Sequence, residues 1–122
     1  MTTTLGDVRG SVFSTRSELV GQRLRVVLTG CLDMETAPDL EHFLADVTHL
    51  LTSDGVRDVQ FEIAGLYLMS SSSISITAAW IKRLKTAAPS CRVKFITNPN
   101  LAWQRRTLES IRRVAENMVS VG

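Results

Sequence analysis

The stretch VQFEIAGLYLMSSSSI, residues 59–74, predicts a strand that leads into the start of a helix. Val59, Phe61 and Ile63 alternate with polar residues, as in a strand with one buried face. After the serines at 70–73, apolar residues recur at helical spacing. Serine caps helices well because its hydroxyl accepts a hydrogen bond from an unpaired first-turn amide. We therefore expect a strand-to-helix junction that carries several hydroxyl groups.

The rest of the chain predicts alternating strands and helices around this junction. Thr36, with Asp39 three residues later, resembles a capping box at the start of a first helix. The predicted strands are residues 10–18, 22–31, 56–63 and 91–97, with Gly21 in the turn of an initial hairpin and a last helix after Asn100. The order ββαβαβα predicts an α/β fold with a mixed, mostly parallel sheet, an N-terminal hairpin and flanking helices.

Length and composition indicate one globular domain. The 122 residues fit a single domain over 1–122, with the order of residues 1–9 left open. No apolar run reaches the roughly 18 residues of a membrane helix, and MTTTLGDVRG lacks the features of a signal peptide, so we expect a cytoplasmic protein without a membrane partner. Cys31 and Cys91 are expected to be buried free thiols.

Charge is distributed unevenly along the chain. Residues 80–122 contain nine Lys or Arg and two Asp or Glu, whereas residues 1–79 contain five and ten. The basic part is typical of a solvated surface, but nucleic-acid binding is an alternative, with Trp80 or Trp103 stacking on bases. No nucleic-acid-binding motif is present, so this alternative is disfavoured, and we expect Trp80 to pack at the core.

Catalytic and metal sites are not indicated. Ser71 lacks the glycines of a G-x-S-x-G nucleophile elbow. His42 and His49 share a helical stripe with three acidic residues, Glu35, Asp39 and Asp46. A solvated polar face explains that stripe better than a metal site, because no further ligand source is near. We expect neither enzyme activity nor a cofactor.

Four consecutive serines exceed what capping requires. A helix N-terminus combines unpaired amides with the positive end of the helix dipole, and both favour an anion. A phosphate on one hydroxyl would add about −1.5 to −2 charges and alter the docking of another protein. From the residues alone, simple capping and a phosphorylation or anion site both remain open.

The stretch at 59–74 resembles the strand, loop and helix start of STAS domains, the family of the anti-sigma factor antagonists. The family pattern is an apolar strand, a Gly-Val-like pair and then Asp-Ser-Ser/Thr-Gly-Leu. A second stretch, LTGCLDMETAPDL at residues 28–40, is similar to the family's Gly-x-Leu/Ile-Asp followed by a Thr-Ala helix start. Together with the element order, the resemblance implies a single STAS-like domain.

The resemblance also implies a role for each serine. It places Ser71 on the family's phosphorylated serine, and the flanking serines on the preceding Asp, the small hydroxyl residue and the Gly: Ser70, Ser72 and Ser73. Gly30 and Asp33 fall on the Gly and Asp of the second motif. Because the serine run blurs the register by one residue, Ser70 and Ser72 remain alternative phosphoacceptors.

The implied function is a non-enzymatic regulatory switch. The unmodified chain would bind a serine kinase or anti-sigma factor-like regulator, phosphorylation would release that partner, and a PP2C-type phosphatase would reverse the change. The implied contact residues are Asp33, Thr36, Met69, Ser70, Ser71, Ser72 and Ser73. A nucleotide- or metabolite-sensing domain is a further alternative within the family, although the sequence has no glycine-rich phosphate loop.

Overall fold

The structure, a computed structural model, describes residues 13–122. The predicted hairpin lies at the start of this range. Strands β1 (Phe13–Val20) and β2 (Arg23–Leu32) pair antiparallel around the turn at Gly21, which has a φ of 61°. A positive φ suits glycine because it lacks a Cβ. The predicted hairpin is confirmed, while its expected first residues and the order of residues 1–9 lie outside the described residues.

The remaining elements follow the predicted alternation. They are α1 (Ala37–Ser53), β3 (Asp58–Met69), α2 (Ser71–Ala87), β4 (Arg92–Ile96), α3 (Ala102–Arg112) and β5 (Val119–Val121). The sheet has the order β1-β2-β3-β4-β5, and β2 to β5 are parallel. The α/β class with a mixed, mostly parallel sheet is therefore confirmed.

Two strand predictions were incomplete. Strand β3 was predicted to end at Ile63, but it continues to Met69. The prediction ended too early because two register shifts against β2 interrupt the alternation of its side chains. Strand β5 was not predicted, and it makes the order ββαβαβαβ. Its three residues pair with β4, but they are too few to carry a periodic signal.

All three helices lie on one face of the sheet. Each crossover joins adjacent parallel strands in the same direction across the sheet, and right-handed connections place their helices on the same side. Within β2, Leu24 and Val26 are buried beneath this layer, while Arg23 and Arg25 point to the opposite face. No helix in residues 13–122 covers that opposite face.

Aromatic side chains fill the space between helices and sheet. Trp80 packs edge-to-face on Phe61 with ring centroids 5.6 Å apart, and Phe61 stacks on Phe95 at 5.3 Å. Trp80 also donates a hydrogen bond from Nε1 to Thr48 Oγ1 of α1 at 2.7 Å. With 1% of its surface exposed, Trp80 has the predicted core position and a satisfied polar atom.

Both cysteines are free thiols, as predicted. Cys91 is buried, and this burial raises the pKa of its thiol. Cys31, near the end of β2, is only partly buried, so the expectation of burial holds fully for Cys91 alone.

Candidate functional site

The candidate site lies where β2 and β3 end together. These parallel strands stay paired to their last residues, with Leu32 opposite Met69. The backbone amide of Ser70 then donates a hydrogen bond to the Leu32 carbonyl oxygen at 2.7 Å. This bond fixes the start of α2 beside the loop that follows β2, so the two stretches of sequence that carry the STAS resemblance meet at one edge of the sheet.

The four serines occupy different environments. Ser70 is the N-cap of α2, and its Oγ accepts a hydrogen bond from the Ser73 amide at 3.1 Å. Ser73 is fully buried, and its Oγ donates to the Leu32 carbonyl at 3.3 Å. Ser72 is partly buried and Ser71 is exposed. Neither of these two hydroxyls makes a side-chain hydrogen bond within the described part of the chain.

Asp33 and Thr36 hold the neighbouring loop in a reciprocal pair. The Asp33 amide donates to Thr36 Oγ1 at 2.9 Å, and the Thr36 amide donates to Asp33 Oδ1 at the same distance. Thr36 makes no side-chain cap hydrogen bond to the first turn of α1, so the predicted capping box with Asp39 is wrong. The Thr36 hydroxyl is already engaged by the preceding loop.

Two of the predicted contact residues are interior. Thr36 is 5% exposed and Ser73 is 0% exposed, so neither side chain reaches the surface that a partner would touch. Their predicted role as direct contacts is corrected to positioning, because both hydroxyls hold backbone groups of the site. Asp33, Met69 and Ser70 are partly exposed.

A buried amide supports the irregular end of β3. Gln104 is 0% exposed, and its Nε2 donates to the carbonyl oxygens of Ile63 and Leu66 at 2.8 and 2.7 Å. Its Oε1 accepts from the Asn98 amide at 2.7 Å. Gln104 therefore supplies hydrogen-bond partners to carbonyl groups of β3 that lie beyond the end of β4 at Ile96. Gln104 was not predicted as a site residue. Its signal in the sequence is a polar side chain among the apolar positions of a helix.

Exposed apolar side chains that were not singled out from the sequence also lie near the ends of β2 and β3. Met34 is 75% exposed, Tyr67 71% and Leu68 50%. Met34 follows the end of β2, whereas Tyr67 and Leu68 belong to the shifted segment of β3. The apolar run 66–69 gave a signal, but only the register shifts turn two of its members outward. Large apolar groups exposed together commonly mark a protein contact surface.

The two chain segments that form the site carry acidic but no basic side chains. Lys and Arg are absent from residues 26–56 and 58–81, whereas Asp33 and Glu35 lie in the loop beside the serines. An anion on Ser71 would therefore meet the amides of the α2 N-terminus but no basic side chain from the adjoining segments.

The described residues offer no metal site. No group of three or more His, Cys, Asp and Glu side chains in residues 13–122 is arranged to hold an ion. His42 and His49 are exposed on α1, as are the acidic residues of the same stripe. The interpretation of this stripe as a solvated face agrees with that exposure.

Within residues 13–122, no helix is long and apolar enough to span a bilayer.

Solved structures of anti-sigma factor antagonists share this fold. One from Mycobacterium paratuberculosis aligns with a TM-score of 0.63 and 19% identity, over 83% of this chain and 80% of that chain. The anti-sigma factor antagonist SpoIIAA in its unphosphorylated form gives 0.58 and 17%, over 88% and 86%. The Bacillus cell fate determinant SpoIIAA in the phosphorylated form gives 0.59 and 16%, over 88% and 90%.

The sequence itself matches no family model and no curated protein. At this level of identity the three structures establish the fold, and they confirm the STAS-like architecture that the two sequence stretches predicted.

Proposed function

We propose that this chain is a non-enzymatic regulatory protein that binds a protein partner when unmodified and releases it when Ser71 is phosphorylated. The observation that carries this proposal is that the four serines at 70–73 have different environments. Ser70 and Ser73 hold the helix start, whereas the Ser71 hydroxyl is exposed and makes no side-chain hydrogen bond within residues 13–122.

Phosphorylation of Ser71 would leave the fold intact. A phosphate there breaks no existing hydrogen bond, and it lies at the positive end of the α2 dipole, where an anion is stabilised. At Ser70 the same group would disrupt the N-cap, and at Ser73 it would have to enter the core. Ser72 is partly buried, so Ser71 is the best substrate for a kinase among the four.

The proposed contact surface combines apolar groups with the phosphoacceptor. Met34, Tyr67 and Leu68 supply exposed apolar area, and Asp33 and Ser71 lie at the same edge of the sheet. A phosphate in this surface would be desolvated, and residues 26–56 and 58–81 offer it no basic partner. Charge mismatch at an interface costs several kcal/mol, which corresponds to about a hundredfold or more in affinity.

The resemblance to the anti-sigma factor antagonists suggests the partners of this switch. The kinase would be a serine kinase that is itself the bound regulator, of the anti-sigma factor type, and a PP2C-type phosphatase would restore the free hydroxyl. Anti-sigma factor antagonists of the same fold support this proposal, and one of them, SpoIIAA, has structures in both unphosphorylated and phosphorylated forms.

Affinity capture from the native host tests the proposal. The baits are the wild-type chain and the variants Ser71→Ala and Ser71→Asp. We expect Ser71→Ala to retain the partner and Ser71→Asp to lose it, because only the second places a negative charge in the contact surface. Ser90→Asp is the matched control, since Ser90 is exposed beyond the opposite end of α2. Equal recovery by the Ser71→Ala and Ser71→Asp baits would exclude the switch at this residue.

A further inference from the structure

One side of the helix layer carries only negative charge. Five exposed acidic residues lie on α1 or next to its ends, and they form what we call the acidic face: Glu35, Asp39, Glu41, Asp46 and Asp54. The sequence between Arg25 and Arg57 contains no Lys or Arg that could neutralise them locally.

The other side of the layer is positive. Six exposed cations occupy the second half of α2 and the length of α3, and they form the basic face: Lys82, Arg83, Lys85, Arg105, Arg106 and Arg113. Lys85 and Arg113 line one cleft of about 420 Å³ at the ends of these helices, so α2 and α3 contribute to a common surface.

The two faces form no ion pair with each other within residues 13–122. Helix α2 packs between α1 and α3. Thr48 of α1 turns toward α2, where it bonds Trp80. At about 100° per residue, Asp46 lies roughly 160° around the helix axis from Thr48, whereas Glu41 lies about 20° from it, on the side toward α2. The ion pairs within residues 13–122 are Arg25–Glu62 and Arg112–Glu109, and neither uses a residue of the acidic or the basic face.

We propose that the basic face binds the acidic face of a second copy of this chain. The charges are complementary in sign and similar in number, and both faces are exposed and, within residues 13–122, without ion-pair partners. A nucleic acid would satisfy only the basic face, whereas a second copy satisfies both. Because the two faces are different surfaces of the same molecule, the contact is head-to-tail and can continue from copy to copy.

The association would depend strongly on salt. Exposed charges interact over about 30 Å at 0.01 M ionic strength but only about 3 Å at 1 M. Contacts between such faces guide encounter and orientation more than they add affinity. The complex is therefore reversible, and it does not rest on phosphorylation or on any other partner.

Sedimentation of the purified full-length chain tests this proposal without a partner protein. At about 0.02 M salt we expect the average mass to rise with concentration above the 13.5 kDa of one chain, and at about 0.5 M salt to return to it. Two double variants should each self-associate at least about tenfold more weakly than the wild type. One is the acid-substituted variant Arg105→Glu/Arg106→Glu, and the other is the base-substituted variant Glu35→Lys/Asp46→Lys. Circular dichroism confirms that each variant is folded.

The decisive experiment is a mixture of the two variants. The variant Arg105→Glu/Arg106→Glu keeps an unchanged acidic face, and the variant Glu35→Lys/Asp46→Lys keeps an unchanged basic face. In a head-to-tail contact these two unchanged faces can pair, so an equimolar mixture should associate again. The matched control is Arg16→Glu/Lys94→Glu, which changes the net charge by the same amount as the acid-substituted variant but on the uncovered sheet face, and should associate like the wild type.

Two results would overturn the proposal. One is a wild-type chain that stays monomeric at low salt, and the other is a mixture of the two variants that fails to associate. If that monomeric chain binds a random oligonucleotide and Arg105→Glu/Arg106→Glu does not, the basic face belongs to nucleic acid instead.

Discussion

Four identical side chains at the start of α2 perform different tasks because the backbone gives each a different environment. Ser70 lies just before the helix and caps it, and Ser73 points inward to the end of β2. Ser71 points to solvent. From the residues alone, capping and a phosphorylation or anion site both remained open. The family resemblance placed the phosphoacceptor at Ser71, with Ser70 and Ser72 as alternatives, but which serine caps α2 was not predicted. That assignment depends on the hydrogen bond between the Ser70 amide and the Leu32 carbonyl, which is a contact between distant parts of the chain.

The different environments of Ser70 and Ser71 predict that their substitutions affect stability unequally. Ser70→Ala should lower the free energy of unfolding by about 1 kcal/mol, because the Ser73 amide loses its capping acceptor. Ser71→Ala should change it by less than about 0.5 kcal/mol, as is usual for an exposed residue. Urea unfolding followed by circular dichroism measures both. A larger loss for Ser71→Ala than for Ser70→Ala would contradict the assignment of the cap.

At the scale of elements, β3 shows where periodicity stops being informative. Its first half alternates regularly and was predicted from sequence, whereas its second half contains two register shifts and was not. The buried Gln104 bonds the backbone of that second half, and Thr29 leaves no room for a Cβ at Gly65, so both features depend on tertiary contacts. The same shifts expose Tyr67 and Leu68, so the feature that the sequence could not predict also forms part of the candidate contact surface.

Gly65 tests the packing of this segment. A Cβ at Gly65 would lie 2.9 Å from Thr29 Cγ2, which is too close, and the Thr29 hydroxyl is held by Ser14 at 2.7 Å. Gly65→Ala should therefore destabilise the fold by about 1–3 kcal/mol, as overpacking typically does. Thr29→Ser keeps the hydroxyl and removes Cγ2, so it should recover most of this loss in the double variant. Additive losses in chemical denaturation would show that the two positions do not clash.

At the scale of the whole molecule, the decisive property is that the helices within residues 13–122 cover only one face of the sheet. The order ββαβαβα already predicted adjacent parallel strands, and hence crossovers of one hand. The sequence also revealed the basic C-terminal part, but not that its helices pack beside the acidic α1 without an ion pair between them in residues 13–122. The uncovered sheet face is polar and carries the ion pair of Arg25 with Glu62, in which Arg25 Nη2 lies 3.1 Å from Glu62 Oε1.

This ion pair predicts a pH dependence of stability. The hydrogen bond from Arg25 holds the pKa of Glu62 below its ordinary value of 4.5, although desolvation opposes it. A lowered folded-state pKa contributes stability above the unfolded-state pKa, and this contribution disappears as pH falls through the folded-state value. Glu62→Gln should therefore be slightly less stable than wild type at pH 7 and equally stable once the pH lies below the folded-state pKa. Urea titrations at neutral and acidic pH provide the comparison, and an unchanged difference at acidic pH would contradict the role of this pair.

The central claim is that phosphate on Ser71 prevents a protein contact. The most direct measurement is calorimetric titration of the captured partner with the unmodified chain and with the chain phosphorylated at Ser71, after mass spectrometry has verified the site. We predict that phosphorylation raises the dissociation constant by about a hundredfold or more, while the fold is retained. Equal affinities of the two forms would contradict the claim.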